Sequence, residues 1–151
     1  MNTTPDPNDV VIPALLRAAR GAYGHAIRSR LETGGFDDMP KNGPFVLGGM
    51  ANQGGSAGGL IRELGVTKQA ASQLIDTLVV RGYLERHTDC DDRRRLRIEL
   101  TERGRAAAAE VRAGVVAVDE ELAGMLSATE MAGLRAGLVG LCTIRERLEA
   151  G

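Results

Sequence analysis

Wound as a helix, the stretch 67–81 places Lys68, Gln69, Ser72, Gln73, Asp76 and Thr77 on one side and Ala70, Ala71, Leu74, Ile75, Leu78 and Val79 on the other. The apolar side fits a core. The polar side carries groups able to read bases. The carboxamides of Gln69 and Gln73 can each pair twice with an adenine edge, and the Ser72 hydroxyl can reach a base or a phosphate. Thr67 stands at the N-cap position, and Lys68 opens the first turn, where its ammonium can meet phosphate. A solvated helix face has the same polarity, so the stripe alone leaves both readings open. A second cluster follows: Arg93, Arg94 and Arg95 are consecutive, Arg97 lies just beyond, and Asp89, Asp91 and Asp92 stand beside them. Guanidinium groups bind phosphate bidentately and enter narrow minor grooves. Three in a row exceed what protecting a strand edge requires. The neighbouring aspartates can fix the orientation of one of them.

Presenting these groups takes a scaffold, and the flanking residues spell one. Ser56 is a plausible N-cap for a short helix, Ala57 to Leu64, that Gly65 ends. Thr67 caps the longer helix, which runs to about Arg81 and stops at Gly82. Tyr83 to Thr88 reads as a strand. Residues 95–100 alternate, with Leu96, Ile98 and Leu100 on one face and Arg95, Arg97 and Glu99 on the other, the period of a half-buried strand. The polar turn Asp89–Arg94 joins them into a hairpin with a charged tip. Short helix, tight turn, longer helix and hairpin make a winged helix-turn-helix, whose second helix fits the major groove of B-DNA.

The rest is helical. Residues 1–9 form a polar, Pro-containing lead expected to be disordered. From Val10 to Leu31, Ile12, Leu15, Leu16, Ala19, Tyr23 and Ile27 make an apolar stripe. Residues 32–44 read as a loop, and Pro44 suits the first turn of a short helix to about Asn52. Thr101 can cap a long helix to about Leu126, and Ser127–Glu130 matches a capping box. A last helix to Leu148 carries Leu134, Leu138, Leu141 and Leu148. The expected fold is mainly α with a small β-hairpin. A winged helix-turn-helix domain over 43–104 is joined to a helical dimerisation lobe from 10–31 and 105–151. The apolar stripes of 10–31 and 127–148 exceed what one small winged domain can cover. Gly133, Gly137 and Gly140 would let backbones approach closely, so a homodimer is expected. Such a dimer sets two reading helices about one DNA turn apart on a palindrome.

The run LGVTKQAASQLIDTLVVRGYLERHTDCDDRRRLRIELTERG, residues 64–104, resembles the core of the MarR family of winged helix-turn-helix transcription regulators. The shared pattern is R-G-Y/L-[IV]-x-R at Arg81–Arg86, a D-x-R-D-x-R wing tip at Asp89–Arg94, and L-T-x-x-G at Leu100–Gly104. The resemblance implies a dimeric repressor of a palindromic operator on double-stranded DNA, released by a small apolar or phenolic ligand. It implies that Arg94 enters the minor groove and that Asp92 orients it. Asp91 departs from the family, which usually carries Arg there; Arg93 or Arg95 can compensate. The run Gly54-Gly55-Ser56-Ala57-Gly58-Gly59 also departs, and helix-interior glycine costs about 1 kcal/mol relative to Ala. A ligand would sit between the dimer lobe and the winged domain, where Tyr23, His25 and Phe45 are the candidate pocket residues. Core packing explains Tyr23 and Phe45 equally well.

Composition bounds the alternatives. The 151 residues carry a net charge of −1, with 43% hydrophobic and 3% aromatic residues. Any DNA-binding surface must therefore arise by local segregation of charge. Cys90 and Cys142 form no CxxC and no cluster with histidine, so neither zinc nor another metal is expected, and no cofactor. Cys142 falls in an apolar stripe and reads as a core residue; Cys90 lies among arginines that could lower its pKa and aspartates that oppose the shift. No signal peptide and no membrane-length apolar run is seen, which predicts a reduced, cytoplasmic protein with no membrane partner. An enzyme is not expected. The GGSAGG run lacks the preceding strand and the Lys-Ser/Thr of a phosphate loop, and His25 and His87 have no triad context. A winged module for protein contacts and a regulator of another winged class, PadR-like or ArsR-like, remain as alternatives; the metal-sensing type would need clustered Cys or His.

Overall fold

Capping decides where the helices lie. The computed structural model describes residues 6, 9–54, 56–88 and 96–151. Helix α1, Ile12–Thr33, begins two residues later than the apolar stripe suggests, because Pro13 belongs in a first turn and Val11 is extended. It runs on to Thr33, whose hydroxyl donates to the Ser29 carbonyl at 2.9 Å. Helix α2 spans Gly43–Gln53 with Pro44 in its first turn. Helix α3, Ala57–Glu63, is short; the Ser56 hydroxyl caps it by accepting from the Gly59 N–H at 3.1 Å. Helix α4 is Lys68–Val80, with Thr67 accepting from the Ala70 N–H at 3.2 Å.

Strands β1, Leu84–Thr88, and β2, Leu96–Leu100, pair antiparallel, with Leu84 opposite Leu100 and Thr88 opposite Leu96. Tyr83 was expected to open the first strand. Instead its N–H donates to the Leu78 carbonyl at 2.9 Å, closing the end of α4. Helix α5 is Glu102–Met125, and helix α6 is Ala128–Ala150. The expected lead 1–9 lies mostly outside the described residues.

The chain divides into two units, up to Val115 and from Val116 to Gly151. In the first, a single core gathers Leu31 of α1, Val46 and Leu47 of α2, Ala57, Leu60 and Ile61 of α3, Leu78 of α4, Tyr83 and Leu84, and Ala107, Ala108 and Val111 of α5. In the second, α6 opens with the expected capping box: Ser127 Oγ accepts from the Glu130 N–H at 3.3 Å, and Glu130 Oε2 accepts from the Ser127 N–H at 2.8 Å. The Ser127 hydroxyl also donates to Glu130 Oε2 at 2.7 Å, and this bond first, with the one from the Ser127 N–H behind it, holds the Glu130 carboxyl below the usual carboxylate range. No residue of α6 is buried. Cys142, read from its stripe as a core residue, is exposed, and the stripe, though apolar, holds no buried residue.

Candidate nucleic-acid interface

Helix α4 turns its two sides as its sequence demands. Gln69, Ser72, Gln73 and Asp76 stand at i, i+3, i+4 and i+7, one stripe of a helix, and all are exposed. Opposite them Ala71, Leu74 and Ile75 are half-buried and Leu78 is fully buried. Lys68 is exposed at the helix start, where orphan backbone N–H groups and the helix dipole also favour an anion. The turn from α3 to α4 is tight because Gly65 takes a left-handed φ of +65°, a conformation that costs a residue with a Cβ. Short helix, glycine turn and exposed second helix are the geometry of a groove-reading unit.

The hairpin is braced against this unit. On one face of the ladder, Leu84 lies opposite Leu100 and Arg86 opposite Ile98. Arg86 therefore shares the inner face with apolar residues, and its Nη2 reaches Asp76 Oδ1 on α4. The outer face carries Glu85, His87, Arg97 and Glu99, all exposed, with His87 Nε2 3.2 Å from Glu85 Oε1. The wing tip lies outside the described residues. Arg93, Arg94, Arg95, Asp92, Asp91 and Cys90 thus have no described placement, and the strands at its base show only where it must emerge.

At the foot of the wing, Thr101 and Gly104 explain the L-T-x-x-G pattern. The Thr101 hydroxyl accepts from the Gly104 N–H at 2.9 Å, capping α5, and donates to the Gly82 carbonyl. Its N–H donates to the Tyr83 carbonyl at 3.1 Å. A Cβ at Gly104 would lie 2.0 Å from that same carbonyl oxygen, so only glycine lets α5 start here.

One cluster had no signal in the sequence. Asp38, in the connection between α1 and α2, accepts from the Tyr83 hydroxyl and, at 2.9 Å, from Arg103 Nη2, while its backbone carbonyl accepts from Arg81 Nη1. The Arg103 guanidinium lies 4.7 Å from the centroid of the Tyr83 ring and 5.4 Å from that of Phe36, within cation–π range. Burial first, and the Asp38 carboxylate next, push the Tyr83 hydroxyl up to about 12. The hydrogen bond from Tyr83, with Arg103 adding to it, holds the Asp38 carboxyl below its ordinary range. Asp38 sits in an aperiodic loop, and Arg103 occupies a variable place of its motif, so neither pattern nor spacing marks them.

Within the first unit lies an open cleft of about 890 Å³. Tyr23, Ile27, Phe36, Phe45, Leu60 and Val111 give it apolar walls, and Arg20, Arg28, Lys41 and Arg112 stand among its charged lining. Tyr23 and Phe45 thus meet at one cavity; His25 is exposed and is not part of its lining. Among the described residues, no group of three or more His, Cys, Asp or Glu could hold a metal ion, and no helix is long and apolar enough to cross a membrane.

Residues 45–95 match a family model described as the MarR family. In fold the chain is similar to Streptococcus pneumoniae FabT in complex with DNA, with a TM-score of 0.76 and 22% identity over 91% of this chain and 96% of that one. It is similar to an S. aureus MepR–DNA complex, with a TM-score of 0.70 and 20% identity over 89% and 98%. It is also similar to apo MarR from E. coli, with a TM-score of 0.62 and 22% identity over 87% and 97%. No curated protein sequence matches the chain. The mainly helical fold with one two-stranded wing is therefore that of MarR-type winged-helix structures.

Proposed function

We propose that this chain, whose residues 45–95 carry the MarR-family winged helix-turn-helix, is a sequence-specific transcription regulator that binds double-stranded DNA as a homodimer. The observation that carries this reading is the exposed stripe Gln69, Ser72 and Gln73 on α4, held outward by the buried Leu78 behind it. Thr67 caps the helix and Lys68 faces phosphate; Arg93, Arg94 and Arg95 clasp the flanking backbone or minor groove, with Asp92 orienting Arg94. Two of the similar structures, FabT and MepR, are DNA complexes, which supports the same use of this fold.

Pairing is supported by what the terminal helices leave open. Ile12 and Leu15 on α1 are 59% and 42% exposed, and Ile144 and Leu148 on α6 are 52% and 78% exposed. Exposed apolar residues on each of these helices mark a protein interface. The lobe made of 10–31 and 105–151 is assigned to it, and a two-fold dimer predicts a palindromic operator. The cleft that joins Tyr23 and Phe45 supports a small apolar or phenolic ligand that relieves repression by favouring one spacing of the two reading helices; S. aureus MepR has been seen with ethidium bromide. The reading assigns no catalysis, and a DNA partner supports a cytoplasmic location.

The test is to sequence the genomic fragments that the purified protein retains, and to measure affinity for the recovered site against salt. Counterion release predicts a steep fall in affinity with salt. Gln73→Ala should change the preferred base, whereas Arg94→Ala should weaken binding to every sequence. Retained fragments with no common site would refute sequence-specific reading. Normal binding by Arg94→Ala would refute the role of the wing and favour a module for protein contacts.

A further inference from the structure

The connection between α1 and α2 faces two ways. Phe36, Met39 and Lys41 line the cleft. From the same stretch, Asp38 holds the junction where α4 ends and β1 begins: it accepts from Arg81, which caps α4, from the Tyr83 hydroxyl, and from Arg103 at the start of α5. Phe36 belongs to both sides. Its ring forms cleft wall, lies 6.2 Å from the Tyr83 ring, and sits under the Arg103 guanidinium.

We propose that Asp38 is a positioning residue for DNA reading, clamping the end of α4 and the foot of the wing to the α1–α2 connection, and that Phe36 couples this clamp to the cleft. The proposal rests on the DNA-binding reading above and names how the cleft acts on it. Tyr83 is fully buried, so its hydroxyl has little access to water in place of Asp38. The connection must therefore follow the junction. A molecule that displaces the Phe36 ring also disturbs the Arg103 stack, and with it the group that shares Asp38 with Tyr83. Simple charge predicts the opposite of the clamp: deleting the Asp38 carboxylate brings less repulsion to a polyanion and should tighten DNA binding.

The experiment uses the full chain and the site recovered from retained genomic fragments, with a scrambled duplex of the same length as reference. Wild-type preference is measured first; its absence refutes the DNA-binding reading itself, before any variant bears on the clamp. Asp38→Ala is expected to weaken the recovered site about tenfold, the scale of one charge-assisted hydrogen bond, and to leave the scrambled duplex unchanged. Asp38→Asn, which keeps an oxygen for the Tyr83 hydroxyl, should fall between. Tyr83→Phe keeps the ring and its packing, and should weaken the recovered site in the same selective way if Asp38→Ala fails to fold. Equal or tighter binding of the recovered site by Asp38→Asn and Tyr83→Phe overturns the clamp, as does an equal loss on both duplexes. The chain has no Trp, so Phe36→Trp supplies a single indole in the cleft wall. Its emission should shift when the recovered duplex is added; an unchanged spectrum at saturating duplex overturns the coupling to the cleft.

Discussion

Gly104→Ala is expected to be severely destabilising, and the reason is backbone rather than side chain. The new Cβ would meet the Tyr83 carbonyl oxygen at 2.0 Å and Leu100 Cδ2 at 3.2 Å. Carbon reaches its best van der Waals separation at about 3.5–4.0 Å, so the start of α5 or the Gly82–Tyr83 turn must move by more than about 1 Å. Overpacking of this kind costs about 1–3 kcal/mol. The carbonyl struck is also the acceptor for the Thr101 N–H at 3.1 Å; weakening that bond costs about 1 kcal/mol. Against this stands about 1 kcal/mol gained by alanine's helix propensity. The net loss is about 1–3 kcal/mol, a sizeable part of the 5–15 kcal/mol typical of a folded domain. Urea unfolding followed by far-ultraviolet circular dichroism reads it as a lower midpoint at constant slope. Gly58→Ala is the control, since nothing lies within 4 Å of a Cβ there, and it should be neutral or stabilising. If Gly104→Ala unfolds at the wild-type midpoint, the account of the α5 start is wrong.

Leu138→Glu, on the uncovered face of α6, should shift the protein from dimer to monomer in sedimentation experiments and weaken palindrome binding; an unchanged dimer would remove that face from the interface. Arg86→Ala should leave Asp76 uncompensated and weaken binding to all duplexes, and adding Asp76→Asn should restore much of the loss, as read by fluorescence anisotropy. The buried Tyr83 hydroxyl, raised to about 12 from an ordinary 10.0, stabilises the fold fully below pH 10 and loses that contribution as pH climbs toward 12. In a Tyr23→Phe background, tyrosinate absorbance should therefore reach its midpoint near 12; a midpoint near the ordinary value would refute the buried bond to Asp38. Asp38, lowered from 3.8, contributes fully above that value and is lost as pH falls below it, so Asp38→Asn should flatten the acid limb of a stability profile.

The elements were legible because each carries local chemistry that agrees with its fold. The Ser56, Thr67 and Ser127 caps each stand one residue before the helix they were expected to open. The alternation of Ile98 and Leu100 against Arg97 and Glu99 survives as half-buried against exposed. What periodicity could not show is which groups converge from distant places. Asp38, Tyr83 and Arg103 are joined across 65 residues by hydrogen bonds, and no local pattern encodes that meeting. Tyr83 was misplaced in the strand for the same reason: its N–H is spent on the Leu78 carbonyl, a helix-closing bond that residue types alone do not announce. Cys142 was misread because an apolar stripe reports that a face seeks cover, not that the chain itself supplies it.

Net charge is a poor guide to this surface, and Asp76 shows why. The chain carries 20 acidic and 19 basic residues, and one of the acids sits in the reading stripe, one turn beyond Gln73. Left bare, its carboxylate would face a polyanion. Instead Arg86, on the inner face of β1, reaches across to it. The pair is solvent-exposed at 40% and 57%, so it adds little to folding. Its consequence is electrostatic: on the face proposed to meet DNA the acid has a cationic partner, and Lys68 adds a further exposed cation at the helix start. On the proposed DNA-binding reading, the register of one strand thus lets a chain of balanced composition offer a face whose acid is paired. A slip of one residue in β1 would turn Arg86 outward, exposing Asp76 to the phosphates while leaving the overall charge unchanged.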